Sequence, residues 1–386
     1  MIRRHWLRLL ASAAALRLVP SASAFVQAGP EAADVYRRAF AWSRSVDAEW
    51  SAVREALRAD ELPPAQVRHW LKAARPALAE LREAATIDAC RWGDEAMTSE
   101  DLGRDRFDAS HHHLINLARL SAIRKAEAGR FEGALDDAFA ALTLARRIGD
   151  DGPLIARLFQ CGGEIATHRT LGRVLPLLDR PALGSLLKRL DAAPPPAPAS
   201  ATIGPESRFI LNTLRAHLAT MGDRLSDEDW TRLDLEEEAP ALKRLTGGER
   251  ARLLARLDAS APAFAELGRR LDLPRDRRDA ALDDFAATRR ETDPIAAGLV
   301  EPSRAFPNAI ERARFTAETL RAGLVLVRDG EDGFQALRDP FGAGPFGLER
   351  RGDGWWILSA LPDGEAPTSA FAIGRPSPRR PSRLRA

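Results

Sequence analysis

The sequence predicts a mainly α-helical protein, an array of antiparallel helical hairpins followed by a small β-hairpin element near the C-terminal end. Two observations lead to this prediction. From Pro30 to about Leu190 apolar residues recur every three or four positions, as in helices, and the same spacing resumes later, as far as Leu320. From Gly330 onward the chain is instead rich in glycine and proline and contains two short runs of strand-forming residues.

The clearest hairpin lies in residues 114–148. Small residues stand where two antiparallel helices must approach closely, and a glycine stands where the chain must turn. The pattern is carried by Ala122, Gly129, Phe131, Ala134, Leu135, Ala138 and Ala141. It is typical of tetratricopeptide-like repeats, which form a binding groove, so we expect a peptide or protein partner along residues 114–178. The candidate contact residues are Arg119, Arg124, Phe131 and Arg146.

Composition divides the chain further. After an N-terminal segment over 1–24 we expect a helical-hairpin array over 25–191, a Pro-rich connector over 192–204, a second helical segment over 205–329, a β-hairpin element over 330–374 and a disordered basic tail over 375–386. Within these regions Pro76 should split one apolar stripe into two helices. Ser226 and Asp229 have the spacing of a capping box and should open another helix.

The β-hairpin prediction rests on residues 344–361. Strand-like runs over Gly344–Arg350 and Trp355–Leu361 flank the sequence Arg351-Gly352-Asp353-Gly354. An Asp-Gly pair favours a tight hairpin turn because glycine adopts positive φ without strain. We therefore expect the turn at Asp353-Gly354 and interpret the Arg-Gly-Asp tripeptide as ordinary turn composition.

The first 24 residues have the pattern of an export signal peptide. A cationic start precedes an apolar stretch from Leu9 to Val19 and an A-x-A cleavage site, so we expect cleavage after Ala24. The arginine pair at positions 3 and 4 is also compatible with a twin-arginine signal, and an amphipathic first helix is the alternative. The apolar stretch is shorter than the roughly 20 residues of a membrane span. We expect a periplasmic or secreted protein without a transmembrane span once the signal is removed.

The charge balance argues against one class of partner. The chain has 57 lysine and arginine residues against 55 aspartate and glutamate residues, a net charge of +2. Proteins that bind the phosphate backbone of nucleic acids need a strong excess of basic charge, which this chain does not have overall. We therefore expect no nucleic-acid partner, and no motif in the sequence requires a cofactor.

Three consecutive histidines, His111, His112 and His113, form the one cluster with the composition of a metal site. Neighbouring residues of a helix point about 100° apart, so the three cannot share one ion. Asp108 and His112 have the i, i+4 spacing of helical metal ligands and are the weak candidates. The alternative is a helix start capped by Asp108 and Ser110, with the histidines partly exposed. We expect no metal and no catalytic residue, since nucleophile-elbow, H-E-x-x-H and Walker motifs are absent.

Only two cysteines are present, Cys90 and Cys161. In an exported protein they could form a disulfide, which by closing a long loop would stabilise the fold by up to about 4 kcal/mol. The alternative is a pair of buried thiols, and no spacing rule decides between the two.

Several segments together resemble a known group of proteins. Residues 77–85 lead to Cys90-Arg91-Trp92, and the motif at 339–342, Asp-Pro-Phe-Gly, precedes Gly354-Trp355-Trp356. With the Gly129 hairpin, these segments resemble a family of exported helical proteins, frequent in planctomycetes, that ends in a small C-terminal motif. The resemblance implies export and a helical fold, and this family has no assigned activity to carry over.

The C-terminal block is also similar to the end of type II secretion pseudopilins, where an Asp-Pro-aromatic-Gly turn precedes a hairpin and an Asp-Gly loop. Asp339, Asp363 and Gly364 match that outline, and the resemblance implies calcium in the Asp363 loop, although few oxygen ligands are evident. The chain departs from pseudopilins at its other end, which has neither the prepilin leader nor their long apolar first helix.

The sequence as a whole favours an exported, non-enzymatic helical scaffold that binds a peptide or protein partner in the cell envelope. Two alternatives stay open. One is a metal-dependent hydrolase of the envelope that uses the His111–His113 region. The other is an accessory component of an envelope secretion system, based on the pseudopilin-like block.

Overall fold

The computed structural model describes residues 31–44, 64–93, 97–101, 107, 109–362, 366 and 368–376. These residues form fifteen α-helices and two β-strands, which confirms the mainly α-helical class with a β-hairpin near the C-terminal end. The predicted signal peptide with its cleavage site at Ala24, and most of the basic tail, lie outside the described residues. Within the described ranges, each helix is too short or too polar to cross a membrane.

In the described part of the chain, seven helices precede the Pro-rich connector: α1 (Ala32–Arg44), α2 (Pro64–Ala73), α3 (Arg75–Thr86), α4 (Ser110–Glu127), α5 (Phe131–Gly149), α6 (Leu154–Val174) and α7 (Arg180–Ala192). Seven follow it: α8 (Ser200–Ala219), α9 (Asp227–Arg232), α10 (Ala239–Thr246), α11 (Arg250–Ala259), α12 (Ala261–Leu271), α13 (Arg275–Arg289) and α14 (Pro294–Gly298). The long helix α15 (Val300–Gln335) then leads to β1 (Gly347–Ser359) and β2 (Ser369–Pro376).

Helices α4 and α5 form the hairpin that the small-residue pattern predicts. The chain turns at Gly129, whose φ of +71° suits glycine. Ala122, Ala134 and Ala138 are buried between the helices. Helix α6 then packs on both, and a Cβ built on Gly163 would lie 2.7 Å from the Ala145 Cβ, so a larger residue would separate the helices. Three consecutive helices therefore form one closely packed unit.

A buried carboxylate ties this unit to the helices before it. Pro76 lies at the start of α3, so the apolar stripe is split into α2 and α3 as predicted. Asp137 of α5 is only 1 % exposed and contacts Arg82 of α3 and Lys125 of α4, each at 2.6 Å. A buried carboxylate without a cation would be strongly destabilising, so this pairing fixes how α3 meets the hairpin.

The second helical segment has a core of its own, centred on Trp230, Phe264, Phe285 and Phe306, which are all buried. The predicted capping box is present: Ser226 Oγ accepts from the Asp229 amide at 3.2 Å, and Asp229 Oδ2 accepts from the Ser226 amide at 2.8 Å.

The Pro-rich connector is shorter than predicted. Ala192 still belongs to α7, and helix α8 begins at Ser200, so residues 200–204 are helical. The Ser200 amide donates to Asp272 Oδ1 at 3.0 Å, which satisfies a free donor at the helix start. Pro205 lies inside α8 and removes only one backbone hydrogen bond, which the helix tolerates so close to its start.

The C-terminal element also differs from its predicted outline. Helix α15 is broken at the predicted boundary, Gly330, whose φ is +81°, and a further short helical stretch extends to Gln335. The sequence indicates no strand over Ser369–Pro376 and places the tail from 375, yet β2 pairs there antiparallel with β1, from Gly352 opposite Pro376 to Ser359 opposite Ser369. Phe371 and Ile373 of β2 are buried against the helices. This apolar burial stabilises a strand that the local sequence pattern does not indicate.

Strand β1 reverses direction within its own length. A straight strand would hold Gly347 and Leu358 roughly 36 Å apart at about 3.3 Å per residue. Instead, a Cβ built on Gly347 would lie 3.1 Å from the Leu358 Cβ. The reversal is at Gly352, whose φ is +57°, whereas Gly354 lies in the ladder opposite Gly374. The predicted hairpin is therefore present, with its left-handed residue just before the predicted Asp353-Gly354 pair.

Candidate functional site

The four predicted partner-contact residues lie in different surroundings. Arg119 and Arg124 are half-buried on α4. Phe131 opens α5 and packs partly against the core that includes the β-strands. Arg146, near the end of α5, donates from Nε to Glu164 Oε1 of α6 at 3.0 Å. Of the four, Arg119 and Arg146 therefore contact α6 directly, whereas Arg124 contacts Glu127 of its own helix.

Helices α4 and α6 present a continuous surface, which we call the α4–α6 face. Its members are half-buried or exposed and recur at helical spacing along each helix. They are Asn116, Arg119 and Glu127 of α4 and Gly162, Ala166, Arg169 and Arg173 of α6. The face lies within the segment 114–178 in which the sequence predicts a groove for a partner.

Arg119 is held on this face by neutral groups. Its Nε donates to Thr170 Oγ1 at 2.9 Å, and one terminal nitrogen donates to Asn116 Oδ1 at 2.7 Å. Burial and the neighbouring Arg169 guanidinium lower the pKa of Arg119 to about 10, which leaves it charged at neutral pH. The charge is thus oriented by hydrogen bonds but is not neutralised by either of these partners.

Arg169 lies one helical position before Thr170 and is exposed. Among the described residues it has neither an ion pair nor a hydrogen bond through its side chain, and its charge repels that of Arg119. Two like charges held close together raise the electrostatic energy of the face. An anion placed between Arg119 and Arg169 would relieve this repulsion.

Glu127 lies at the far end of the face and contacts three arginines. Its carboxylate is 2.9 Å from Arg124, 3.9 Å from Arg173 and 2.7 Å from Arg375 of β2. Burial and the nearby Arg375 lower the pKa of Arg173 to about 10. Glu127 thus holds three guanidinium groups together at this end of the face.

The charge of the face is completed by the end of β2. Asp353 stands opposite Arg375 in the β1–β2 ladder, so it offers a second carboxylate at the edge of the cluster. The guanidinium groups of Arg119, Arg124, Arg169, Arg173 and Arg375 thus lie along the face with the carboxylates of Glu127 and Asp353 at its far end. Such a surface attracts anions and is suited to carboxylates, which arginine binds with two parallel hydrogen bonds.

The three histidines are arranged for packing. His111 is buried, contrary to the expectation that it is partly exposed, and its ring lies 4.8 Å from that of Phe159 and 4.0 Å from that of His112. His113 Nδ1 lies 3.3 Å from Ser43 Oγ. Asp108 lies outside the described residues, and within them no three His, Cys, Asp or Glu side chains come together as metal ligands.

The two cysteines are not joined. Cys90 lies half-buried in the segment after α3 and Cys161 is buried inside α6, and both are free thiols. Burial raises the pKa of the Cys161 thiol to about 12, so it stays protonated and unreactive at neutral pH. Of the two alternatives that the sequence leaves open, the structure has separate thiols.

Asp339, which the pseudopilin resemblance singles out, organises the C-terminal element. It is buried, and its Oδ1 accepts from the Phe341 amide and from Ser359 Oγ, each at 3.0 Å, while its Oδ2 accepts from the Ala360 amide at 2.6 Å. Both oxygens are therefore occupied by protein donors that tie the Asp-Pro-Phe-Gly turn to the end of β1. Asp363 and Gly364, the other residues of that outline, lie outside the described residues.

Sequence reasoning missed three residues of the site: Arg169, Arg173 and Arg375. Arg169 and Arg173 stand four positions apart on α6, a spacing that could have indicated one basic helix face. No local signal indicates Arg375, because it reaches Glu127 only through the docking of β2, whose strand the sequence does not predict.

No known protein family matches the sequence, and comparisons with curated proteins and with solved structures find no significantly similar protein. The function is therefore inferred from the α4–α6 face itself.

Proposed function

We propose that this chain is an exported, non-enzymatic helical scaffold that binds a peptide or protein partner in the cell envelope through the α4–α6 face. The observation that carries the proposal is the arginine cluster of this face, in which Arg119 and Arg169 have no carboxylate partner among the described residues. Export is part of the proposal because the first residues have the pattern of a signal peptide.

The structure supports a rigid platform beneath the arginines. Helices α4, α5 and α6 pack closely around Gly163, and Asp137 fixes the hairpin to α3. A binding surface on rigid helices loses little conformational entropy when a partner binds, which favours affinity.

The metal-dependent hydrolase alternative has less support. His111, the first histidine of that region, is packed against His112 and Phe159, and its ring is buried. A catalytic metal needs several ligands from His, Cys, Asp or Glu that converge on one open position, and the described residues hold no group of three.

A photo-crosslinking amino acid at Gly162 tests the proposal, with Gly184 as a matched control. Both glycines lie within helices, are exposed, and have nothing within 4 Å of a built Cβ, so both accept a side chain without disturbing the fold. Gly162 belongs to the α4–α6 face, whereas Gly184 lies on α7. The chain is expressed with its own leader, and the envelope fraction is crosslinked and read by mass spectrometry.

We expect a mature chain that starts at Phe25 and one discrete protein crosslinked from Gly162 but not from Gly184. That protein is then purified, and its binding to the chain is measured with and without the substitution Arg169→Glu, with Arg277→Glu on α13 as the control of equal charge. Arg277 is exposed and has no charged partner among the described residues. Equal crosslinking from both glycines, or equal weakening by both charge reversals, would contradict the proposal.

A further inference from the structure

We propose that Arg119 and Arg169 form the anchor for a carboxylate on the partner, so that the partner presents an acidic peptide segment to the α4–α6 face. This inference rests on the proposed function and specifies its ligand. The ligand would be an acidic polypeptide segment with nearby apolar side chains, and this chain would supply the positively charged arginines that bind it.

Arg119 has hydrogen-bond donors that its protein partners do not use. A guanidinium group has five N–H donors, and Arg119 uses two nitrogens on Thr170 Oγ1 and Asn116 Oδ1. These two neutral acceptors fix the plane of the group without changing its charge. A terminal nitrogen is left over, and with the exposed Arg169 beside it the pair can offer donors to both oxygens of one carboxylate.

Three other buried or half-buried arginines have a carboxylate partner, whereas the buried Arg157 is held by the neutral Gln160. Arg82 is 2.6 Å from Asp137, Arg146 is 3.0 Å from Glu164, and Arg278 is 2.5 Å from Glu311. Each of these pairs joins two elements of the fold. Arg119 is likewise held by neutral partners, and the charge of the neighbouring Arg169 has the same sign. A carboxylate from outside the chain would supply a negative charge to this pair.

The surroundings of the anchor select a peptide. On the N-terminal side of Arg169, the same side of α6 carries Ala166 and Gly162, which are small and project little from the helix. Leu158 lies one further turn away and is 39 % exposed. From Gly162 to Arg173 the helix rises roughly 16 Å, the length of about five residues of an extended peptide. A segment with apolar residues at the Leu158 end and acidic residues at the arginine end matches this pattern.

The local character of the Arg119–Arg169 anchor bears on the kind of partner. Nucleic acid is a poorer match, because the net charge of the chain is only +2 and phosphate-backbone binding needs extended basic surface. An acidic peptide needs only this local cluster.

The test uses the full mature chain and two fluorescent octapeptides, one of glutamate and one of glutamine, in binding titrations at low and at physiological salt. The anchor is removed by the double substitution Arg119→Gln and Arg169→Gln. The matched control is Arg275→Gln with Arg277→Gln on α13, which changes the net charge equally at two exposed arginines that have no carboxylate partner among the described residues. Circular dichroism checks that each variant is folded.

We expect the glutamate peptide to bind, the glutamine peptide to bind at least tenfold more weakly, and the anchor variant to lose at least tenfold in affinity while the control changes less than twofold. Because Arg119 is half-buried, replacing it can also disturb the fold. The single variant Arg169→Gln is therefore measured as well. Arg169 is exposed and makes no contact that the fold needs, so a loss there cannot come from unfolding.

Two outcomes would overturn the inference. Equal losses in the anchor and control variants would show attraction by net charge and no anchor. Failure of the glutamate peptide to bind, together with a partner crosslinked specifically from Gly162, would reject the carboxylate anchor and leave the scaffold proposal standing. The reverse result, anchor-dependent binding of the glutamate peptide without any partner at Gly162, would support the anchor and count against the scaffold proposal.

Discussion

Helix α6 makes two interfaces that are stabilised in opposite ways. Toward α15 and β2 the contact is close: a Cβ built on Gly172 would lie 2.7 Å from the Phe371 ring. Toward α8 of the second helical segment the contact is polar. There the Leu154 amide, at the start of α6, donates to Glu206 Oε2 at 2.7 Å. A cleft of about 230 Å³ opens beside this second contact and is lined in part by Trp92, Pro153 and Phe209.

Each interface also buries an ionisable group, and burial shifts the pKa values of the two groups in opposite directions. His168 faces α15, where its Nδ1 lies 3.0 Å from Thr316 Oγ1, and burial lowers its pKa to about 4. Glu206 faces α6, and burial raises its pKa to about 7, against a smaller lowering by the Leu154 amide. Both groups prefer their neutral form because an unpaired charge is poorly solvated inside a protein. The two interfaces therefore lose stability at opposite ends of the pH scale.

The largest expected effect concerns Glu206. It is fully buried, and its Oε1 has no hydrogen-bond partner among the described residues. An acid whose folded pKa is raised from 4.5 to about 7 contributes stability below pH 4.5 that is lost as the pH rises through 7. The loss is about 3 kcal/mol, since one pKa unit corresponds to about 1.4 kcal/mol. The variant Glu206→Gln keeps an acceptor for the Leu154 amide but carries no charge.

We expect Glu206→Gln to unfold at a higher denaturant concentration than the unaltered chain at pH 8, and at nearly the same concentration at pH 4.5. Urea unfolding at the two pH values measures this difference. The control is Glu236→Gln, at an exposed acid between α9 and α10. A stability difference that does not change with pH would show that Glu206 is ionised at no net cost, and the comparison between the interfaces would then fail.

His168 should show the opposite slope. A histidine whose folded pKa is lowered from 6.5 to about 4 contributes stability above pH 6.5, and this is lost as the pH falls toward 4. Burial is the main cause, while Glu164 partly opposes it and Arg146 and Arg321 add to it. The expected loss is again about 3 kcal/mol across that window.

The variant His168→Gln removes this titration. Relative to the unaltered chain, we expect it to lose about 3 kcal/mol less between pH 7 and pH 4 in urea unfolding. The free energy of unfolding of this variant at pH 7 is lower than that of the unaltered chain, because the substitution removes the packed imidazole ring. The control His69→Gln changes an exposed histidine of α2 and should follow the unaltered chain at every pH. Parallel pH profiles for His168→Gln and the unaltered chain would contradict the assignment.

The parts of the fold that the sequence predicts are those determined by short-range patterns. The α4–α5 hairpin follows from small residues and Gly129 within one segment, and the capping box of Ser226 and Asp229 spans four residues. Strand β2 could not be found in this way. Its Phe371 and Ile373 alternate as in a strand, but the strand is stabilised by Gly172 and Gly323, which are far away in sequence.

The candidate site shows the same limit. Arg119 and Arg146 follow the same hairpin pattern and could both be proposed from the sequence, yet Arg146 is paired with Glu164 whereas Arg119 has no carboxylate partner among the described residues. What distinguishes them is the side chain that α6 places beside each arginine, Glu164 or Thr170. That depends on how α6 packs on α4 and α5, which the spacing of residues along one helix does not specify.

The smallest expected effect tests the close interface directly. A Cβ at Gly172 would lie 2.7 Å from the Phe371 ring and 2.8 Å from the Ala372 carbonyl oxygen, and the carbonyl belongs to a strand backbone that cannot move freely. We expect Gly172→Ala to destabilise the protein by about 2 kcal/mol, as overpacking of a filled core does. Urea unfolding measures the change, and protease sensitivity near β2 reports whether the strand is displaced.

The matched control lies on the same helix. Gly162 has nothing within 4 Å of a built Cβ, so Gly162→Ala adds no clash. Because alanine is the better helix former, that substitution should stabilise the protein by roughly 0.5–1 kcal/mol. Opposite signs for two Gly→Ala changes within α6 would show that the interface with β2, and not the helix itself, requires glycine at position 172. If both variants were stabilised, β2 would have to lie further from α6 than the structure places it, and the two interfaces of α6 would no longer differ in packing.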